Sequence, residues 1–155
     1  NGGKPVITRV GHSLIKEKMI EVDAYFAGES SGHFFLRFDE GYYEAPIVVI
    51  LKMLEELSNY KGRLSDLIKP YKKYYHSGEI NSSVKNKDEV IKKLAEVFKD
   101  AKVINYLDGL TIEYDDFWFN VRISNTEPLL RLNLEAVDKE TMEKKRDEVL
   151  KIIRS

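Results

Sequence analysis

The sequence contains no cysteine, no glutamine, a single tryptophan and only three histidines among its 155 residues. Without cysteine there can be neither disulfides nor thiolate metal sites, so a disulfide-stapled scaffold is excluded. Basic and acidic side chains number 25 and 26, for a formal net charge of −1. No global field therefore draws the chain toward nucleic acid or an anionic membrane, and neither is expected as a partner. The longest apolar run, Ala45 to Leu51, contains Pro46 and is far shorter than the roughly 20 residues a helix needs to cross a bilayer. The first residues, Asn1-Gly2-Gly3-Lys4-Pro5, lack the architecture of a signal peptide. A cytoplasmic location is the expectation. Abundant lysine without glutamine is a composition met in heat-adapted proteins.

What is present is enough apolar residue, 43%, for one ordinary domain or two small ones. Val6 to Val10 reads as a short strand, followed by a helix to about Val22 in which Ser13 is the candidate cap. Ala24 to Gly28 reads as a small buried strand. A Gly-bounded polar loop through His33 leads into the aromatic strand Phe34 to Phe38. Pro46 suits the first position of a helix through Leu57. That helix is apolar nearly all round, which predicts deep burial. Strand, helix, strand, helix in this order predicts an α/β layer with a mixed sheet over residues 1–76.

Lys69 to His76 is basic and aromatic, and Ser77-Gly78 then breaks the chain, which marks the passage into a second domain, residues 77–155. A run of this kind can contact single-stranded nucleic acid, but the neutral overall charge argues against it. In the second half Ile80 to Val84 is a strand, and Asn86 with Glu89 forms a capping box ahead of a helix. Val103 to Leu107 and Leu110 to Tyr114 predict a hairpin through a primed turn at Asp108-Gly109. Phe117 to Ser124 and Leu129 to Ala136 are further strands, and Asp138 caps a last helix. An α+β domain follows, with an antiparallel sheet and helices on one face.

Alternation along Phe117 to Ser124 places Phe117, Phe119, Val121 and Ile123 on one side and Trp118, Asn120, Arg122 and Ser124 on the other. The second set carries a guanidinium and a hydroxyl to the mouth of the loop Ser124-Asn125-Thr126-Glu127-Pro128. A planar fork of donors suits a phosphate, and a tight turn can aim backbone N–H groups at one anion. Spacing alone favours the plainer reading, a polar hairpin turn with an exposed arginine. Likewise, His33 read by itself is a loop histidine that caps backbone groups.

The run Arg122-Ile123-Ser124-Asn125-Thr126-Glu127-Pro128-Leu129-Leu130-Arg131, with Glu135-Ala136 beyond it, resembles the signature loop of the last domain of α-D-phosphohexomutases. Gly28-Glu29-Ser30-Ser31-Gly32-His33 is similar to the same family's Gly-Glu-x-Ser-Gly-His motif. The upstream segment Thr8 to Lys16 looks like part of the family's third domain. The resemblance implies phosphate contacts from Arg122, Ser124, Asn125 and Thr126. It implies hydrogen bonds from Glu29 and Ser31 to the sugar's 3- and 4-hydroxyls, and proton transfer near His33. Arg9 and His12 are second-rank candidates for substrate contact. Ser30, at the variable position of the motif, leaves the choice of hexose open.

In that family an enzyme serine in a Ser-His-Asn loop carries the phosphoryl group, and an Asp-Gly-Asp-x-Asp loop holds magnesium. Neither motif occurs in this sequence, and Asp115-Asp116 has no third carboxylate at suitable spacing. The resemblance thus covers essentially the whole chain but about the last third of a full-length enzyme. It implies an incomplete third domain followed by a whole fourth domain. By itself the chain is expected to bind no metal and to be inactive, with magnesium and the missing N-terminal domains belonging to the parent. The implied ligand is a hexose phosphate of mannose or glucose. A phosphoglucosamine mutase and a non-catalytic phosphosugar-binding module are the alternatives. Truncation of the third domain predicts an uncovered apolar face at Val6 to Val10, and with it a homodimer or a poorly packed first half.

Overall fold

Apolar side chains gather in two separate clusters. The computed structural model, which describes residues 2–124 and 127–155, divides accordingly into units 1–71 and 72–155.

The first unit begins without regular structure: residues 2–9 form neither helix nor strand, contrary to the strand expected at Val6 to Val10. Val6, Ile7 and Val10 are exposed. A strand needs a neighbour for its backbone groups, and the three-stranded sheet of this unit pairs only within itself. Helix α1, His12–Glu21, follows. Its N-cap residue is Gly11 rather than Ser13, which falls inside the first turn. Gly11 has φ 139°, a conformation that suits glycine. At the other end Asp23 N–H bonds to Ile20 C=O and Ala24 N–H to Met19 C=O. This is a Schellman close with Asp23 in the left-handed region at φ 50°.

Strands β1 (Phe26–Gly28), β2 (Phe34–Phe38) and β3 (Gly41–Glu44) form an antiparallel sheet in that order. β1 lies at the sheet edge and is not buried, unlike the strand expected there. Ile15 and Met19 of α1 pack on Phe35 to make the core. Helix α2, Pro46–Asn59, starts at its proline as expected, but none of its residues is buried. Ile47, Ile50, Leu51, Met53 and Leu54 are each more than half exposed. Periodicity describes which faces are apolar; burial requires something to cover them, and within this unit α2 meets chiefly β2. Helix α3, Leu64–Ile68, and a 3₁₀ turn at Lys69–Tyr71 close the unit.

The second unit is one antiparallel sheet. Its strands are β4 (Tyr75–His76), β5 (Ile80–Ser83), β6 (Val103–Asn105), β7 (Leu110–Glu113), β8 (Phe117–Ile123) and β9 (Leu129–Ala136). The spatial order is β4-β9-β8-β7-β6, with β5 also on β9. Because Tyr75 and His76 pair with Ala136 and Glu135, they belong to this unit. The division therefore falls at Tyr71, ahead of the boundary expected at His76. Between β4 and β5, Ser77 Oγ accepts the Leu134 N–H and Ser77 N–H bonds to Leu134 C=O, so the edge stays satisfied while the backbone turns at Gly78.

Helices α4 (Lys87–Val97) and α5 (Lys139–Ile153) pack on the sheet. Both open on the caps expected from sequence: Asn86 Oδ1 accepts Glu89 N–H at 3.2 Å and Asp138 Oδ1 accepts Thr141 N–H at 2.8 Å. Leu94, Phe98, Phe119, Leu132 and Val149 fill the core between them, fully or almost fully buried. One turn differs from expectation. The β6–β7 pairing ends at Asn105 opposite Thr111, so the connection is wider than a two-residue primed turn. The Asn105 side chain captures the Leu107 N–H, and Asn120 Nδ2 takes the Asp108 carbonyl. Gly109, at φ 74°, lies so close to β8 that a Cβ there would stand 2.4 Å from the Val121 carbonyl oxygen.

Candidate functional site

In the first unit the loop Glu29–His33 is the tip of the β1–β2 hairpin. Glu29 N–H donates to His33 C=O at 2.9 Å and Gly32 N–H to Glu29 C=O at 3.0 Å, which closes the tip on itself. The Glu29 carboxylate is fixed from two sides: Gly11 N–H reaches Oε1 at 3.2 Å and Ser31 Oγ donates to Oε2 at 2.7 Å. Because Gly11 precedes α1, the same hydrogen bond ties the hairpin tip to the helix start, where His12 stands. The His12 ring meets Phe35 edge-on at 5.1 Å between centroids. The structure thus brings together Glu29, Ser31, His33 and His12, four of the five first-half candidates. Arg9 lies in the exposed segment just before them.

One member of this cluster was not singled out from sequence. Glu44, the last residue of β3, accepts from His33 Nδ1 at 2.8 Å through Oε1 and stands 3.4 Å from His12 Nε2 through Oε2. The carboxylate hydrogen bond, followed by its negative charge, raises the His33 pKa above the ordinary imidazole value. Glu29 adds to the same direction. The signal was present as an Asp39-Glu40-Gly41 turn between two aromatic runs, a hairpin pattern that returns the chain beside β2.

In the second unit strand alternation holds over most of β8: Phe117, Phe119 and Val121 are buried and Trp118, Asn120 and Arg122 lie on the other face, but Ile123, expected with the core set, is exposed at the strand end. The register sets Arg122 directly opposite Arg131 of β9. Like charges in that relation repel, and Glu79 offsets them, with Oε2 3.5 Å from Arg122 Nη2 and Oε1 3.2 Å from Arg131 Nη1. Glu127 takes the other end of Arg131 at 3.2 Å. Arg131 Nε is buried without a hydrogen-bond partner among the described residues. Ser124 is buried, and its Oγ accepts the Glu127 N–H at 3.3 Å. A hydroxyl that accepts in this way still has its own proton to donate. Asn125 and Thr126 lie outside the described residues. Glu79, too, was not singled out from sequence, since its place follows from the turn at Ser77-Gly78.

The two clusters are of complementary kinds. A carboxylate with a hydroxyl beside it suits vicinal hydroxyls, and an imidazole paired with a carboxylate suits proton transfer. A half-buried arginine near the end of a strand suits a phosphate. Among the described residues no group of three or more His, Asp or Glu side chains is placed to hold a metal ion. No helix among them is long and apolar enough to cross a membrane.

Comparison with known proteins matches residues 1–74 to the phosphoglucomutase/phosphomannomutase alpha/beta/alpha domain III and residues 79–152 to the C-terminal domain of the same family. Among curated relatives, a phosphomannomutase of Methanocaldococcus jannaschii is 47% identical over 98% of this chain, and 33% of its own length is covered. A phosphomannomutase of Escherichia coli is 36% identical over 99% of this chain and 34% of its own length. A crystal structure of a phosphoglucomutase/phosphomannomutase family protein from Burkholderia thailandensis superposes with a TM-score of 0.79 at 30% identity, covering 99% of this chain and 33% of that one. The chain spans about a third of the length of these relatives. With both domain descriptions matched in sequence order and a solved relative sharing the fold, the chain belongs to the phosphoglucomutase/phosphomannomutase family and corresponds to its third and C-terminal domains.

Proposed function

We propose that this chain is the substrate-recognition portion of a phosphomannomutase/phosphoglucomutase that interconverts hexose 1-phosphate and hexose 6-phosphate. The observation that carries the proposal is the hairpin tip, where Glu29, Ser31 and His33 converge with His12. In this reading Glu29 and Ser31 hold the sugar's 3- and 4-hydroxyls. Arg122, Ser124, Asn125 and Thr126 grip the phosphate that is not transferred, and Arg9 adds a further substrate contact. A sugar hydroxyl oxygen attacks the phosphorus of an enzyme phosphoserine, the P–O bond to the serine breaks, and the hydroxyl proton passes to His33. The bisphosphorylated sugar then returns its other phosphoryl group to the serine.

In this reading the serine is supplied by another part of the polypeptide; no Ser-His-Asn triplet occurs in this sequence. Magnesium, which would neutralise charge on the transferring phosphoryl group, is supplied there too. The chain alone is then a binder and not a catalyst, working with the preceding domains of a cytoplasmic enzyme. Relatives named phosphomannomutase support mannose as the first sugar to test. The experiment is a mutase assay on the full-length protein with mannose, glucose and glucosamine 1-phosphates. Turnover of the mannose or glucose ester supports the proposal. Turnover of the glucosamine ester alone reassigns the substrate, and turnover of none contradicts it.

A further inference from the structure

Two histidines from different elements share one carboxylate in the first unit. His33 ends the hairpin tip and His12 begins α1, and the two oxygens of Glu44 face one ring each, at 2.8 Å and 3.4 Å. Glu44 is itself placed by the ladder, opposite Phe35 on β2, so its position is set by backbone pairing as well as by its own contacts. Its side chain is less exposed than either ring, at 31% against 53% for His33 and 56% for His12. We propose that Glu44 is a positioning residue for proton transfer, fixing His33 with its proton on Nδ1 so that Nε2 is the nitrogen that meets the sugar oxygen. This rests on the mutase reading above and deepens it.

The chemistry follows from the ring. A neutral imidazole carries one N–H, and the nitrogen that donates to a carboxylate keeps it, leaving the other as acceptor. With Nδ1–H held by Glu44 Oε1, His33 Nε2 makes no hydrogen bond among the described residues and can take the proton that leaves the attacking hydroxyl. The imidazolium formed then lies against a carboxylate. In the reverse step the same Nε2–H returns the proton to the sugar oxygen as its bond to phosphorus breaks. Among the described residues, further titratable groups face His33 and Glu44. The loop contributes Glu29 and α1 contributes His12. Lys16, also on α1, has its ammonium 5.7 Å from the centroid of the neighbouring Tyr43 ring. Both carboxylates act in one direction on His33, and removing Glu44 removes the larger of them.

The test uses the full-length protein labelled with ¹³C at histidine Cε1, comparing wild type with Glu44→Gln and Glu44→Asp. His33 and His12 are assigned through His33→Gln and His12→Gln. In Glu44→Gln the His33 titration moves to lower pH and the pH–rate limb of kcat/KM that tracks it moves the same way. The variant's kcat falls about tenfold, less than the about 10²–10⁴ supplied by the proton-transferring group itself, while KM stays near wild type. Glu44→Asp recovers part of both effects, which separates charge from folding. An unchanged His33 titration in Glu44→Gln overturns the pairing. A shifted titration with an unmoved pH–rate limb overturns its role in the reaction. A wild-type protein without mutase activity overturns the mutase reading, and the titration then decides the pairing by itself.

Discussion

Replacing Glu79 by glutamine separates two things its carboxylate does at once. It bridges the facing guanidinium groups of Arg122 and Arg131 and offsets their repulsion, and it occupies the charge that a phosphate would otherwise meet. Opposed like charges across a strand pair cost about 0.2–1 kcal/mol, and each partly exposed ion pair contributes at most about 1 kcal/mol. Glu79 is 36% exposed and Arg122 17%, so the contacts are discounted for solvent screening. Glu79→Gln is therefore expected to lower the stability of the second unit by about 1 kcal/mol. Releasing Arg122 from a contact of up to about 1 kcal/mol raises phosphate affinity up to about fivefold. The stability arm is a urea titration followed through Trp118, the sole tryptophan, which lies on the same sheet face and donates to Glu135. The affinity arm is calorimetry with mannose 6-phosphate at two salt concentrations. Weaker phosphate binding in Glu79→Gln would refute the reasoning, because it would make Glu79 the group that aims Arg122 rather than its competitor.

Asp138→Ala removes the N-cap of α5 and is expected to cost about 1 kcal/mol in urea. The Thr141 backbone N–H, then its hydroxyl, holds the Asp138 carboxyl below its ordinary pKa of 3.8. The folded pKa lies below the unfolded one, so this stabilisation is present above about pH 4 and is lost as pH falls through the lowered value. Wild type and variant should therefore differ at neutral pH and converge in acid, and a gap independent of pH would count against the cap. The exposed apolar face of α2 and the exposed Val6 and Ile7 predict that the 155-residue chain dimerises in sedimentation or exchanges amides freely over residues 6–28. A monomer with well-protected amides there would contradict that expectation.

The second unit was legible because its signals are local and closed. Asn86 and Asp138 cap the helices they precede, and the alternation of Phe117, Phe119 and Val121 matches the observed core. The Asp108-Gly109 turn was misjudged in width because Asn105 ends the ladder early with its own side chain, a choice that propensity does not reveal. The first unit was harder for a different reason. The apolar residues of α2 read the same whether the helix is covered or bare, and the pairing of Val6 to Val10 depends on a neighbour that the sequence of the segment does not specify. Glu29, Ser31, His33 and Arg122 were found through motif spacing. Glu44 and Glu79 are carboxylates whose meaning comes from register, one opposite Phe35 and the other beside a turn that brings it to Arg122 and Arg131. Neither residue type nor spacing separates them from the other acidic residues.

The central claim, that this chain recognises a hexose phosphate and reads its phosphate through Arg122, is tested most directly by calorimetry of mannose 6-phosphate on wild type and Arg122→Ala. Charge-assisted hydrogen bonds of about 1.5–3 kcal/mol predict weak binding to the wild type and a loss of roughly 10-fold or more in the variant. Equal affinity for both proteins, or binding to neither, would contradict it.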